Sequence, residues 1–470
     1  MSFLARVNYS YRSKYLFTFS MREDGSSKFA PGNRWGFFPS GAFAWRMNKE
    51  KFMRKLDWID DAKLRLSYGV TGNNRVDSYA SYATLSYSDY YAHNNTPLEA
   101  ITQSTLGNRD LTWESTAQYN VGYDLRLFEN RISFTVDIYR KITDNLLLNA
   151  KLPTTTGFAS VYKNIGKIRN DGLELTLSTV NVRARNFLWT TDFNISFNKD
   201  KVLELAEGQE TLLSTVSYTG DFNSTYLYIA QQGGPVASFY GMVWDGVYGY
   251  DDFDVTSAGK YVLKNSVPTN GDARDSIQPG DIKYVDQNND GVCNDADMVV
   301  IGRCAPIHTG GFNNTFAYRG LSLNVFFQWS YGNDIMNANR IMLEGNYANK
   351  NINQFKSYVD HWTPENQSSM NFRPGGQGPK GVYSSRTIED GSFLRLKTLS
   401  LSYTVPAKFT RKAKIENLTL SLAGQNLWTW TKYSGLDPEV STKHSTLTPG
   451  FDYSAYARNR VYSLGLNVTF

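Results

Sequence analysis

Strict polar–apolar alternation runs through this chain in stretches of about ten residues, and no other feature limits the fold as much. At 132–139, Ile132, Phe134, Val136 and Ile138 point one way, while Ser133, Thr135 and Asp137 point the other. At 117–127, Ala117, Tyr119, Val121, Tyr123, Leu125 and Leu127 alternate with Gln118, Asn120, Gly122, Asp124 and Arg126. The C-terminus sets Tyr462, Leu464, Leu466, Val468 and Phe470 against Ser463, Gly465, Asn467 and Thr469. Thirteen such segments fall near 2–12, 14–24, 35–47, 62–72, 112–128, 131–144, 172–182, 187–198, 309–319, 321–332, 392–404, 416–429 and 459–470. The eleventh carries a phase slip, since Leu394 and Leu396 are out of step with Leu399, Leu401 and Tyr403. One extra residue in a strand, a bulge, produces that slip.

The connections alternate in length. Arg12-Ser13-Lys14, Glu129-Asn130-Arg131, Arg183 to Asn186 and Arg319-Gly320 are short, with longer members of the same set at 48–61 and 405–415. The other set is long: 25–34, 73–111, 145–171, 199–308, 333–391 and 430–458. Short turns at one end and long loops at the other are the pattern of an all-β, transmembrane outer-membrane β-barrel of antiparallel strands. One face of each strand meets lipid and the other a wet lumen; closure is needed because an open sheet edge has no hydrogen-bond partner in hydrocarbon. A soluble β-sandwich also alternates, but it seldom gathers every long loop at one end.

Composition agrees once the faces are separated. The 470 residues suggest about three soluble domains, yet aromatic residues make up 14% of the chain and mean hydropathy is −0.44. No stretch approaches the roughly 18 apolar residues of a helical span, and Met1 to Met21 alternates where a secretory signal has a continuous apolar run. The 49 Lys and Arg exceed the 44 Asp and Glu by only five, and no basic cluster marks a nucleic-acid partner. Two cysteines, Cys293 and Cys304, leave one bridge or two free thiols open. Single-chain bacterial barrels have an even strand count. Thirteen is odd, so the chain is expected to be the C-terminal portion of a larger barrel, and not to close a stable monomer alone.

Chemistry-bearing motifs are few. The run from Asp286 to Asp297 places Asp286, Asn288, Asp290, Asn294 and Asp297 at positions 1, 3, 5, 9 and 12 of a loop, with Gly291 at 6 and the Val292 carbonyl at 7. A hard cation such as Ca2+ takes six to eight oxygens in such a turn. The spacing therefore predicts a structural calcium loop in the longest connection, and an Asn/Asp/Gly turn cluster without an ion is the alternative. Trp35, Trp113, Trp189, Trp329, Trp428 and Trp430 lie near segment ends, where an interfacial aromatic girdle is expected. Tyr240, Trp244 and Tyr248 are the loop aromatics suited to stacking on a ligand. Gly376-Gln-Gly378-Pro-Lys-Gly381 matches a nucleotide-binding string but lacks the strand and helix that give it meaning. His93, His308, His361 and His444 are scattered, and no nucleophile or metalloprotease motif is present. Catalysis is not expected.

Several strings resemble the SusC/RagA family of TonB-dependent outer-membrane transporters of Bacteroidetes. They are Arg22-Glu-Asp-Gly-Ser-Ser-Lys-Phe29, Phe38-Pro-Ser-Gly-Ala-Phe-Ala-Trp45, Leu64-Arg-Leu-Ser-Tyr-Gly-Val-Thr-Gly-Asn73 and Leu111-Thr-Trp-Glu114. Further on come Asn164-Ile-Gly-Lys-Ile-Arg-Asn-Asp-Gly-Leu-Glu-Leu175, Gly234-Pro-Val-Ala-Ser-Phe-Tyr-Gly241, Gly280-Asp-Ile-Lys-Tyr284 and Asp390-Gly-Ser-Phe-Leu-Arg-Leu396. Gly424-Gln-Asn-Leu-Trp428 and Gly435-Leu-Asp-Pro-Glu439 complete the series. The resemblance implies that residues 1–470 are the last thirteen strands of a 22-strand barrel, with the N-terminal plug domain not in this chain. It implies import of large nutrients, glycan oligosaccharides or peptides, driven by TonB through the N-terminal part, under a SusD-like surface lipoprotein. The aromatic Phe470 at the end of an amphipathic strand resembles the signal read by the barrel-assembly machinery. A plug-less passive pore or inactive remnant, and a soluble extracellular glycan-binding β-protein, are the competing expectations.

Overall fold

The protein is described by a computed structural model covering residues 1–205, 209–216, 226–345, 352–378, 383–443 and 445–470. His444 and Gly381 therefore lie outside the described residues. Thirteen long strands form one antiparallel sheet, in chain order. They are β1 (Ser2–Tyr11), β2 (Tyr15–Gly25), β3 (Trp35–Arg46), β4 (Ile59–Asn73), β5 (Glu114–Leu127), β6 (Ile132–Asp144) and β7 (Lys167–Arg183). The remainder are β8 (Phe187–Glu204), β9 (His308–Tyr318), β10 (Leu321–Tyr331), β11 (Phe393–Thr404), β12 (Asn417–Thr431) and β13 (Val461–Thr469). All thirteen alternating segments are strands. Among the described residues, no helix is long and apolar enough to cross a membrane.

The chain divides into two compact units, Met1–Thr211 with Gln231–Pro235 and Leu212–Ala230 with Val236–Phe470. In the first, strand register turns sequence alternation into continuous rows. One row across β1–β8 reads Tyr9, Phe17, Phe43, Leu66, Val121, Ile138, Leu173 and Phe197. The next row, on the opposite face, reads Asn8, Thr18, Ala42, Ser67, Asn120, Tyr139, Gly172 and Asn198. In the second unit, β9–β13 carry Phe316, Leu323, Leu401, Leu422 and Leu464 in one row and Thr315, Asn324, Ser400, Ala423 and Ser463 in the next. The apolar rows are the outward ones: Ile138 is 55% exposed and Leu422 also 55%. A soluble sandwich buries such rows between two sheets, whereas a membrane barrel offers them to lipid.

Local chemistry fixes the strand connections. Arg319 and Gly320 both have positive φ in the two-residue turn joining β9 and β10, the geometry that matches strand twist. The phase slip in β11 is a bulge: against β10, the consecutive Phe326 and Phe327 pair with Thr398 and Leu396, leaving Lys397 as the extra residue, while against β12 Lys397 stands opposite Asn426 and Leu427. Two strands outrun the apolar alternation, with β7 starting at Lys167 rather than 172 and β8 reaching Glu204 rather than 198. There the outward positions turn charged while the hydrogen-bond ladder continues. The long connections also contain structure of their own. Thr84–His93 and Thr96–Thr105 form a hairpin, as do Leu147–Lys151 and Ser160–Asn164. In the second unit, Ser238–Gly241 pairs with Val299–Arg303, and Asp334–Asn337 pairs with both Ile388–Asp390 and Phe451–Asp452.

Candidate functional site at the long-loop ends

In the first unit the long connections converge on one buried cluster of Phe29, Val76 and Leu111, packed by Trp113, Leu147 and Tyr162. Trp113 lies 5.5 Å from the Phe29 ring and 5.4 Å from that of Phe38, and its indole N–H donates to the Arg34 carbonyl at 3.0 Å. This tryptophan holds loops together and is not part of a lipid-facing girdle; Trp35, Trp428 and Trp430, each about half exposed, do fit that place. The Asn164 amide donates to the carbonyls of Thr112 (2.9 Å) and Asn145 (3.0 Å) and accepts from Thr112 N–H at 2.8 Å. Glu114 accepts from Asn73 Nδ2 at 3.0 Å and from Leu147 N–H at 3.2 Å. A Cβ on Gly72 would stand 1.9 Å from the Phe38 ring, so only glycine fits beneath it. Five of the sequence strings quoted above thus meet in one knot.

The second unit builds a larger loop body around two clusters. Phe239 packs with Tyr228, Met336, Tyr383 and Phe451, while Ile282 and Tyr284 pack with Met242, Cys293, Tyr358 and Phe372. Cys293 and Cys304 are buried in different clusters and no disulfide joins them; Cys304 directly follows the strand Val299–Arg303. Tyr248 is fully buried and donates its hydroxyl to the Pro268 carbonyl at 2.7 Å, which removes it from the ligand-stacking candidates. Trp244 is half-buried with its N–H on Gly246 at 3.0 Å, and Tyr240 is half-buried.

Two ion-pair networks tie this body together. Arg395 of β11, its side chain 2% exposed, donates to Thr429 Oγ1 at 2.9 Å, to Asp437 at 2.7 Å and to Glu439. Arg458 adds contacts at 3.5 Å to Asp437 and 3.0 Å to Glu439, and Lys397 reaches Glu439 at 3.8 Å. Deeper in the loops, Arg386 meets Glu344 at 2.7 Å, Arg340 meets the same carboxylate at 3.0 Å, and Ser357 donates to it at 2.6 Å. Burial opposes ionisation of Glu344, but the Ser357 hydroxyl and the Arg386 and Arg340 guanidinium groups outweigh it and hold its carboxyl below the usual range. In the sequence Arg395 lies in one family-like string and Asp437 and Glu439 in another, with no signal that they touch.

The Asp286–Asp297 loop is a compact turn. Asp286 accepts from Asn289 N–H at 2.7 Å and Gly291 N–H at 2.8 Å. The buried Asp297 accepts from Gln287, Asn288 and Asn294 N–H groups at 2.9, 3.4 and 2.8 Å. Asn288 Oδ1 accepts from Asp290 N–H, and Asp290 Oδ1 from Val292 N–H, both at 2.9 Å. Asn294 Nδ2 donates to the Val292 carbonyl at 3.1 Å. Gly291 has φ of +86°, as the sharp turn at position 6 needs. Among the described residues, no three His, Cys, Asp or Glu side chains form a metal-holding group. The Cys293 thiol beside this loop is pushed up to about 12, first by burial and then by Asp297, Asp286 and Asp290.

Outward apolar rows, short turns at one end and cored loops at the other define an outer-membrane β-barrel protein. The family model of the TonB dependent receptor-like β-barrel matches residues 2–427; the chain belongs to that family and is of the SusC/RagA type. It is 35% identical to TonB-dependent receptor P3 of Formosa agariphila, over 100% of this chain and 45% of that protein. Against TonB-dependent receptor SusC of Bacteroides thetaiotaomicron the identity is 29%, over 100% of this chain and 44% of that protein. The RagAB peptide importer in its closed-closed state superposes with a TM-score of 0.80 at 27% identity, covering 100% of this chain and 47% of that one. The chain spans about half the length of the curated relatives it matches. These similarities set it in the outer membrane of a Bacteroidetes-type cell and set aside the soluble glycan-binding reading.

Proposed function

We propose that this chain forms barrel wall and outer loops of a transporter that imports large nutrients, oligosaccharides or peptides, across the outer membrane. A SusD-like lipoprotein covers its outer mouth, and TonB drives it through the N-terminal part. The whole-chain likeness to the RagAB peptide importer carries this reading. The anchored loops support it too, because a selective mouth needs loops held in place, and the Phe29 cluster and the Arg395 network do that within their own units. The test is uptake of labelled oligosaccharides and peptides by cells with and without the gene, before and after an uncoupler collapses the proton gradient. Gene-dependent uptake that stops on uncoupling is expected; uptake that survives it is passive-pore behaviour and refutes energised import.

We also propose that the loop of Asp286, Asn288, Asp290, Val292, Asn294 and Asp297 takes Ca2+ as a structural ion. The oxygen spacing supports this. Calcium is expected to raise the thermal unfolding temperature of the chain and to lose that effect in Asp297→Asn. A calorimetric titration with no heat of binding sinks the site.

A further inference from the structure

Above the apolar rows, the outward face of β6, β7 and β8 changes character within one step. The row Ile138, Leu173, Phe197 is followed, two residues on, by Arg140, Asp171 and Lys199, and then by Ile142, Arg169 and Lys201. These two rows hold four cations and one carboxylate. Asp171 is shared by Arg140 at 2.6 Å and Arg169 at 3.0 Å. Lys199 and Lys201 make no ion pair among the described residues. The row above is balanced, with Lys167 on Asp144 at 2.7 Å and Glu204 alongside.

The height of these rows identifies what they meet. Arg140 stands eight residues and Ile142 ten residues beyond Ile132, the residue at the short-turn end of β6. At about 3.3 Å per residue and a tilt of about 40°, the rows lie roughly 20 and 25 Å up the membrane normal. That is the upper edge of the apolar band, about 25 Å tall, on the side carrying the long, outer loops. Long cationic side chains there reach upward into the head groups. Adjacent strands are about 4.8 Å apart, so the four cations occupy a patch the width of one head group, and Arg suits phosphate because its fork pairs two oxygens at once.

We propose that Arg140, Arg169, Lys199 and Lys201 seat the phosphorylated head group of an outer-leaflet glycolipid, with its acyl chains on Ile138, Leu173 and Phe197 below. The glycolipid is the occupant because the band lies at the outer leaflet, where the lipid is a phosphorylated glycolipid, and because it continues the lipid-facing rows without interruption.

The test uses the protein extracted in detergent from outer membranes of cells that carry its gene, and native mass spectrometry of retained lipid, with lipid A, dephosphorylated lipid A and phosphatidylglycerol as probes. Lipid A is expected to be retained at least fivefold more than either other probe. Lys199→Gln with Lys201→Gln, which breaks no ion pair, is expected to remove that preference, as is 0.5 M salt acting on the unaltered chain. Lys141→Gln, on the opposite face of β6, is expected to keep it. Equal retention of lipid A by the double variant, or of dephosphorylated lipid A by the unaltered chain, overturns the proposal. Equal retention of phosphatidylglycerol overturns the choice of glycolipid.

Discussion

Arg395 offers the sharpest test of how the loops are held. Its guanidinium bridges Asp437 and Glu439 of the loop after β12 while its side chain is 2% exposed; the carboxylates are 10% and 20% exposed. Arg395→Gln keeps a polar group but removes the charge. Breaking a buried pair from one side costs about 3–5 kcal/mol. Arg458 and Lys397 remain beside the carboxylates, so the low end, about 3 kcal/mol, is the expected loss. That corresponds to roughly a hundredfold rise in the open population of the 432–460 loop. Thermolysin cleavage in this loop, followed by mass spectrometry, reads that population when opening is fast relative to cleavage. A hundredfold faster cut is expected with the β12 ladder intact. Arg395→Met combined with Asp437→Asn and Glu439→Gln should recover most of the loss, since no buried charge is then left unpaired. Less than threefold acceleration in Arg395→Gln, or no recovery in the combined variant, refutes the idea that this network clamps the loop.

Gly72→Ala forces a methyl into the Phe38 ring, and overpacking of this kind costs about 1–3 kcal/mol; in outer-membrane extracts of cells that carry the gene, the temperature at which heat-modifiable gel mobility is lost should fall, and an unchanged temperature contradicts the packing. Glu344 ionises more easily in the folded chain than in the unfolded one. Its contribution is therefore present above the ordinary carboxylate range of about 4.3 and is lost as pH falls through its lower folded value. Melts below pH 4.5 should show an acid slope that Glu344→Gln flattens; the same slope in both chains contradicts the pairing. With its thiol near 12, Cys293 should alkylate at pH 8 about a thousandfold more slowly than an ordinary thiol. Labelling at the free-thiol rate in the folded chain refutes its burial.

The strands were legible because a lipid-facing strand must alternate, and even the Lys397 bulge announced itself as a phase slip. The upper ends of β7 and β8 were not legible as strand, because Arg169, Asp171, Lys199 and Lys201 continue the outward phase with charge instead of apolar surface. The loop anchors were present only as strings. Arg395 and Glu439 are 44 residues apart in sequence, and no local period links an ion pair to its distant partner. Burial also separates residues of one type: Trp113 and Trp428 both end a segment, yet one sits among Phe29 and Phe38 while the other faces outward. For the Asp286–Asp297 loop the sequence displays the donors, and the fold adds a compact turn whose carboxylates receive backbone N–H groups.

The anchors of the loop body lie at its base. Arg395 and Thr429 belong to strands and Asp437 and Glu439 to the first residues after one, so the clamp closes a few residues beyond the sheet and leaves the rest of the segment outside it. For recombination this makes the outer segment an exchangeable cassette with defined sockets. A chimera that swaps residues 440–457 between relatives and keeps both halves of the clamp should fold, whereas one whose junction falls between Arg395 and Asp437 inherits mismatched halves unless the donor supplies both.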